Sequence, residues 1–175
     1  MTSNFRVLGA GVWGLAFSDY LLKLGHNVEI FCRDTNLSNK NISGLKLSHV
    51  SEKNLMSLDT LNAQKSNGEI NIIAVNSKGF SDLLNKHESY FSTLDELVSL
   101  TKGLDHISGK YFNDYVFDMF SNIKKYGLIS GPSFAKDLCH EKKISVSFAT
   151  LDNKLSYSMV EATKSSHFEM IPTTY

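Results

Sequence analysis

The sequence is poor in residues that build special-purpose proteins. Its 175 residues include two cysteines, two prolines, one tryptophan and, among 18 basic residues, only two arginines, Arg6 and Arg33. Cys32 and Cys139 lie far apart and outside any CxxC spacing, which argues against a disulfide framework or a zinc site and for reduced thiols in a cytoplasmic setting. The prolines, Pro132 and Pro172, leave no Pro-rich linker, and no repeat or low-complexity tract divides the chain. Charge of one sign is also missing: 18 basic against 18 acidic residues give zero formal charge, so no net field gathers nucleic acid or an anionic membrane. No run approaches the ~20 apolar residues of a membrane span. Three glycines break the apolar stretch after Arg6 and no small-x-small cleavage site follows, so it does not read as an export signal.

What is present is an ordinary globular composition, 42% hydrophobic and 21% charged, at a length that fits a single domain over residues 1–175. Residues 5–9 read as a short buried strand, after which Trp13, Ala16, Phe17, Tyr20, Leu21 and Leu24 recur at helical spacing until Gly25. Further strands are predicted at 28–32, at 55–58 with a helical turn behind it, and at 69–75. A helix over 80–91, a strand over 96–100, a helix over 111–125 ended by Gly127 and a strand at 128–130 follow. A strand at 144–148, a helix near 154–164 and a strand at 168–171 complete the pattern. Strands joined by helices need crossover connections, so the expected class is α/β: a mainly parallel sheet with helices on both faces.

Gly9-Ala10-Gly11-Val12-Trp13-Gly14 fits GxGxxG between the first strand and the first helix. In a dinucleotide site Gly9 permits the tight turn, Gly11 removes a side chain that would block a pyrophosphate, and Gly14 lets the helix pack closely on the sheet. Unpaired N–H groups at the positive end of the helix dipole then face the diphosphate. A glycine-rich turn without a ligand shows the same letters; the strand before and the helix after favour the dinucleotide. Arg33-Asp34 close the second strand. Asp34 would accept from a ribose 2′-hydroxyl and Arg33 would pair with a 2′-phosphate or stack on adenine, unless both are solvated strand-end charges. NAD and NADP both remain open.

Two more segments, Ser99-Leu100-Thr101-Lys102-Gly103-Leu104 and Ile129-Ser130-Gly131-Pro132-Ser133-Phe134-Ala135, add to the glycine turn and Arg33. Together, in order and spacing over the whole chain, they resemble the NAD(P)-dependent glycerol-3-phosphate dehydrogenases of the bacterial type. The resemblance implies a Rossmann-type fold and hydride transfer between NAD(P)H and dihydroxyacetone phosphate, giving glycerol 3-phosphate for phospholipid synthesis. It sets Val12, Trp13, Arg33 and Ala135 at cofactor positions, Lys102 at a catalytic position touching cofactor and substrate, and Gly131 and Ser133 at substrate positions. A cation at Lys102, just after a strand, suits a substrate phosphate or a polarised carbonyl, or is one more surface lysine. Ser133 suits a helix cap or a substrate contact, Gly131 a close backbone approach, and Trp13 either core or a wall beside the cofactor.

Three departures accompany the resemblance. Val12 stands where the family usually has serine, and Asn76 where it usually has proline before its serine, here Ser77. The family continues into a helical C-terminal domain carrying its principal catalytic lysine, with a homodimer considered for the full-length enzyme. These 175 residues are therefore expected to bind the dinucleotide with little or no turnover alone; a stand-alone dinucleotide-binding module or inactive remnant is the alternative. Elsewhere, Asp137 and His140, beside Cys139, are spaced to meet on a helix, but no third metal ligand is evident, and the other histidines show no triad order. Lys124-Lys125 and Lys142-Lys143 read as solvated faces or helix-dipole partners, so neither metal nor nucleic acid is expected.

Overall fold

Eight strands join one sheet in the order β3-β2-β1-β4-β5-β6-β7-β8. They are β1 (Asn4–Leu8), β2 (Asn27–Cys32), β3 (Leu55–Ser57), β4 (Ile70–Ile73), β5 (Glu96–Ser99), β6 (Lys125–Ser130), β7 (Ile144–Thr150) and β8 (Phe168–Thr173). The structure, a computed structural model, describes residues 2–40, 42, 44–63, 66 and 68–174. Neighbours pair in parallel except β6 with β7. The helices are α1 (Val12–Lys23), α2 (Phe80–Lys86), α3 (Glu88–Phe91), α4 (Phe112–Met119), α5 (Ala135–Cys139) and α6 (Asn153–Thr163).

Successive strand residues point to opposite faces, and both faces are covered. Phe5 and Val7 of β1 join a core with α1, α5 and α6, while Leu8 joins a second core with Phe80, Tyr90 and Phe112 from α2, α3 and α4. The expected α/β sheet is thus found, and its central strands are buried nearly throughout. After β1 the chain first builds outward through β2 and β3, then returns to lay β4 on the other side of β1. That reversal opens a crevice at the carboxyl ends of β1 and β4.

Several predicted boundaries are corrected. The helix expected over 80–91 is two helices broken at His87, whose backbone leaves the helical region at φ −117, ψ 31. The helix expected to reach 125 stops at Met119. Phe120 turns extended, yet its ring and that of Ile123 still reach the core, which is why the apolar spacing imitated a longer helix. Gly127 ends no helix. It lies inside β6, where a Cβ would overlap the ring of Phe148 on the antiparallel neighbour β7. Lys125 accordingly belongs to a strand and pairs with Glu96 at 3.2 Å and Asp95 at 3.5 Å rather than with a helix dipole.

Two buried polar clusters escaped the sequence reading. Arg6, on β1, points into the otherwise apolar α3 face. Its Nε lies 3.0 Å from Glu29, its Nη1 donates to the Tyr90 hydroxyl at 3.2 Å, and its Nη2 lies 3.4 Å from Glu69. Tyr90 in turn donates to Asn71. On the other face Asp19 of α1 is buried, and one carboxylate oxygen accepts the backbone N–H groups of Ser48, His49 and Val50 at 2.6–2.9 Å. A long, Asn- and Ser-rich connection between β2 and β3 is thereby fastened to the first helix.

Candidate functional site

The glycine turn sits at the crevice, between β1 and α1, and its three glycines meet three different surroundings. Gly9 has φ +126, and a Cβ there would lie 2.6 Å from the Ala74 carbonyl oxygen, so the turn closes against the end of β4 only because no side chain intervenes. A Cβ on Gly14 would overlap the Gly9 carbonyl oxygen; its absence lets α1 press on the turn. Gly11 is different. A Cβ there would find no protein atom nearer than Ala74 O at 4.0 Å, so the space over Gly11 is left open rather than filled by the fold.

α1 starts at Gly11 with no side-chain cap and no acidic residue in its first turn. Its first internal hydrogen bond runs from Leu15 N to Gly11 O at 2.9 Å, so the N–H groups of Val12, Trp13 and Gly14 have no helical acceptor. They lie at the positive end of the helix dipole beside the open space. The turn opens into a cleft of about 350 Å³ across the carboxyl ends of β1, β4, β5 and β6, walled by Val12, Trp13, Asn76, Ser77, Thr101, Lys102 and Ser133 among others. Trp13 is half-buried against the α1 core and also lines this cleft. Val12 is 44% exposed.

Lys102, after β5, donates from Nζ to the Gly131 carbonyl after β6 at 2.9 Å. The same oxygen receives the Ser133 N–H at 2.9 Å, with Ser133 Oγ at 3.4 Å. Residues 29 positions apart in sequence are thus joined. The contact holds an exposed ammonium at the cleft wall without burying it. Gly131 has φ +154, and a Cβ on it would lie 3.2 Å from the Val146 backbone. Ser133 does not cap α5: the N-cap is Phe134, with no side-chain hydrogen bond. Ala135 is buried in the α1-facing core at 5% exposure and does not line the cleft. Asn76 caps the turn after β4, its Oδ1 accepting from Gly79 N at 2.9 Å.

The sequence reading missed what aims Lys102. Thr101 is buried, and its Oγ1 donates to the Val75 carbonyl at 2.7 Å, tying the β5 loop to the β4 loop. Ser99 Oγ accepts Thr101 N at 3.0 Å. Beyond Lys102, the buried carboxylate of Asp105 accepts Ser108 N at 2.7 Å, Ser108 Oγ at 2.8 Å and Ile107 N at 3.2 Å. The Ser108 N–H above all holds the Asp105 carboxyl down at about 2, against an ordinary value near 3.8. Because the folded value is depressed, the stabilisation is complete above the ordinary value and is lost as the pH falls through about 2. Thermal unfolding of Asp105→Asn is therefore expected to show a clear deficit at pH 6 that shrinks steadily below pH ~4, toward the wild type, as both carry a neutral side chain. A deficit independent of pH would remove the charge from the account.

Arg33 and Asp34 lie just past β2, the strand beside β1, outside the lining of the cleft, and both are exposed. Asp34 is committed locally: one oxygen accepts Asn36 N at 2.9 Å and the other Asn39 Nδ2 at 3.0 Å. Asp137 and His140 do not form the pair their spacing allowed. Asp137 meets Lys142 at 2.7 Å, and His140 Nδ1 lies 2.7 Å from the Lys136 carbonyl. Among the described residues no group of three histidine, cysteine or acidic side chains is placed to hold a metal ion, and no helix is long and apolar enough to cross a membrane.

A glycine turn at the switch point of a β3-β2-β1-β4 sheet, with a lysine across the cleft, has a counterpart among known families. The model described as the NAD-dependent glycerol-3-phosphate dehydrogenase N-terminus matches residues 4–156. This chain belongs to that family. A glycerol-3-phosphate dehydrogenase [NAD(P)+] of Francisella tularensis subsp. novicida is 28% identical over 180 residues, covering 99% of this chain and 54% of its own length. One from Beijerinckia indica is 24% identical, with 95% and 51% covered. The crystal structure of the Coxiella burnetii glycerol-3-phosphate dehydrogenase superposes with TM-score 0.81 at 21% identity, over 98% of this chain and 54% of that one. The chain therefore spans about half the length of the curated glycerol-3-phosphate dehydrogenases it matches. The coenzyme class named by the family and these relatives is NAD or NADP. The open cradle over Gly11 and the acceptor-less N–H groups of α1 fit its diphosphate.

Proposed function

We propose that residues 1–175 form the NAD(P)-binding domain of an sn-glycerol-3-phosphate dehydrogenase and work in the cytoplasm, where the free thiols Cys32 and Cys139 stay reduced. One observation carries the reading: the single glycine of the turn whose missing side chain leaves unfilled space, Gly11, opens that space beside the bare N-terminus of α1. The Val12, Trp13 and Gly14 amides hold the diphosphate, and Val12 contributes its backbone as a serine would, without the hydroxyl. Bound there, the coenzyme supplies a hydride donor or acceptor. Trp13 walls the cleft and keeps water off one side of it.

Lys102 leaves the Gly131 carbonyl to meet the phosphate or the carbonyl oxygen of dihydroxyacetone phosphate, stabilising negative charge as it develops. Ser133 lines the same cleft and Gly131 holds Lys102 there through its carbonyl, so the two offer a hydroxyl and a backbone approach to the substrate. Calorimetric titration of the chain with NADH and NADPH tests the first half of this reading: binding with at least one coenzyme is expected, and heat with neither overturns it. For the second half, Lys102→Ala is expected to lower kcat/KM for dihydroxyacetone phosphate on the order of a hundredfold in protein that turns it over, with coenzyme affinity changed less than about threefold. An equal fall in both would make Lys102 a coenzyme contact alone.

A further inference from the structure

We propose that Thr101 is the positioning residue of Lys102: its hydroxyl takes the place of the next backbone donor in the β4–β5 ladder, so the chain leaves the sheet at Lys102 and the lysine turns toward β6. The proposal rests on the reading of Lys102 as a substrate contact and adds to it the group that aims the amine.

The end of that ladder carries the argument. Leu100 N donates to Ile73 O at 2.8 Å. Donors facing one neighbour of a parallel pair recur every second residue, so a continued ladder would next run from Lys102 N to Val75 O. That acceptor is taken instead by the Thr101 hydroxyl, at 2.7 Å. The main chain of Thr101 is occupied as well: Ser99 Oγ accepts Thr101 N at 3.0 Å and donates to Thr101 O at 3.1 Å. Ser99 and Thr101 are both buried, where such bonds are costly to leave unmade. Released from the strand, Lys102 reaches the Gly131 carbonyl after β6 at 2.9 Å.

The segment that receives Thr101 also backs the glycine turn. Ala74 N donates to Leu8 O at 2.8 Å, and Ala74 is what a side chain on Gly9 or Gly14 would meet. The start of α1 and the base of Lys102 are thus registered on two adjacent residues, Ala74 and Val75. Reacting groups need to be held within about 0.5 Å of their productive geometry, and a shared reference supplies that. Past Lys102 the loop has a second anchor on the same side, where buried Ser81 of α2 lies against the Asp105 carboxylate. With its hydroxyl spent on Val75, Thr101 acts through Lys102 rather than on a ligand.

Thr101→Val keeps the size of the side chain without the hydroxyl, and Thr101→Ser restores the hydroxyl. The first readout is the mobility of the Lys102 side chain in the 175-residue chain, by NMR of ¹³C-lysine-labelled protein with the signal assigned by its loss in Lys102→Arg. Lys102 Cε is expected to be ordered in wild type and in Thr101→Ser, and in Thr101→Val as mobile as that of exposed Lys154. In protein that turns over dihydroxyacetone phosphate, Thr101→Val should lower kcat about tenfold with the coenzyme KM changed less than about threefold, and Thr101→Ser should recover most of the loss. Should Thr101→Val not fold, Thr101→Ala is read the same way. A mobile Lys102 in wild type, an ordered one in the valine or alanine variant, or a serine variant no better than valine overturns the proposal. Order lost in Thr101→Val beside full activity of Lys102→Ala would instead overturn the substrate reading and leave the aiming intact.

Discussion

Gly11→Val is expected to abolish coenzyme binding, a loss of a hundredfold or more in affinity, while the melting temperature stays within about 2 °C of wild type. The two halves of this result have separate causes. Gly11 has an ordinary extended φ of −75, and a Cβ there meets nothing of the protein closer than 4.0 Å, so the fold accepts a side chain. The accepted branch then stands in the space a diphosphate needs to reach the N–H groups of α1. Its neighbours behave otherwise: at Gly9 and Gly14 an added carbon strikes backbone, so substitution there disturbs the turn itself. Calorimetry paired with thermal unfolding separates the cases. Coenzyme affinity retained by a folded Gly11→Val protein would take the turn out of the binding site.

Arg6→Ala is expected to destabilise the fold strongly, by about 3–5 kcal/mol, or roughly a 10 °C fall in melting temperature. The Arg6 side chain is 7% exposed, and its guanidinium faces Glu29, Glu69 and the Tyr90 hydroxyl, with the Phe31 and Tyr90 rings about 6 Å away. Removing it takes from Glu69, itself 15% exposed, the guanidinium that faces it at 3.4 Å. It also opens a void under α3. Arg6→Lys keeps the charge but not the fork and should lose less. A loss below about 1 kcal/mol for Arg6→Ala, measured by urea unfolding, would mean that the carboxylates reach water when the arginine is gone.

Much of the fold was legible because apolar runs and glycines report local geometry. Ile70, Ile72 and Ile73 announced β4, the order of strands and helices announced a parallel sheet, and GxGxxG announced the turn at which the sheet order reverses. The errors came where side chains reached the core from irregular backbone. Phe120 and Ile123 kept a helical rhythm beyond Met119, and Gly127 looked like a stop signal although its lack of a side chain makes room for Phe148 on the adjacent strand. Arg6 and Asp19 were invisible for another reason: a buried charge is tolerable only through partners distant in sequence, and nothing local marks which residues those are.

The candidate site divides along the same line. Sequence alone determined the α/β class, the dinucleotide turn, the family, and Lys102 and Ser133 as residues to examine, because those depend on residue type at short spacing. Tertiary structure decided which glycine opens space and which two merely permit close packing. It also decided that Lys102 rests on Gly131, that Thr101 and Asp105 hold its loop, that Ala135 is buried, and that Asp34 bonds within its own turn. Each of these turns on distances between segments that the chain brings together only when two apolar faces of one sheet are buried, and such distances have no one-dimensional signature.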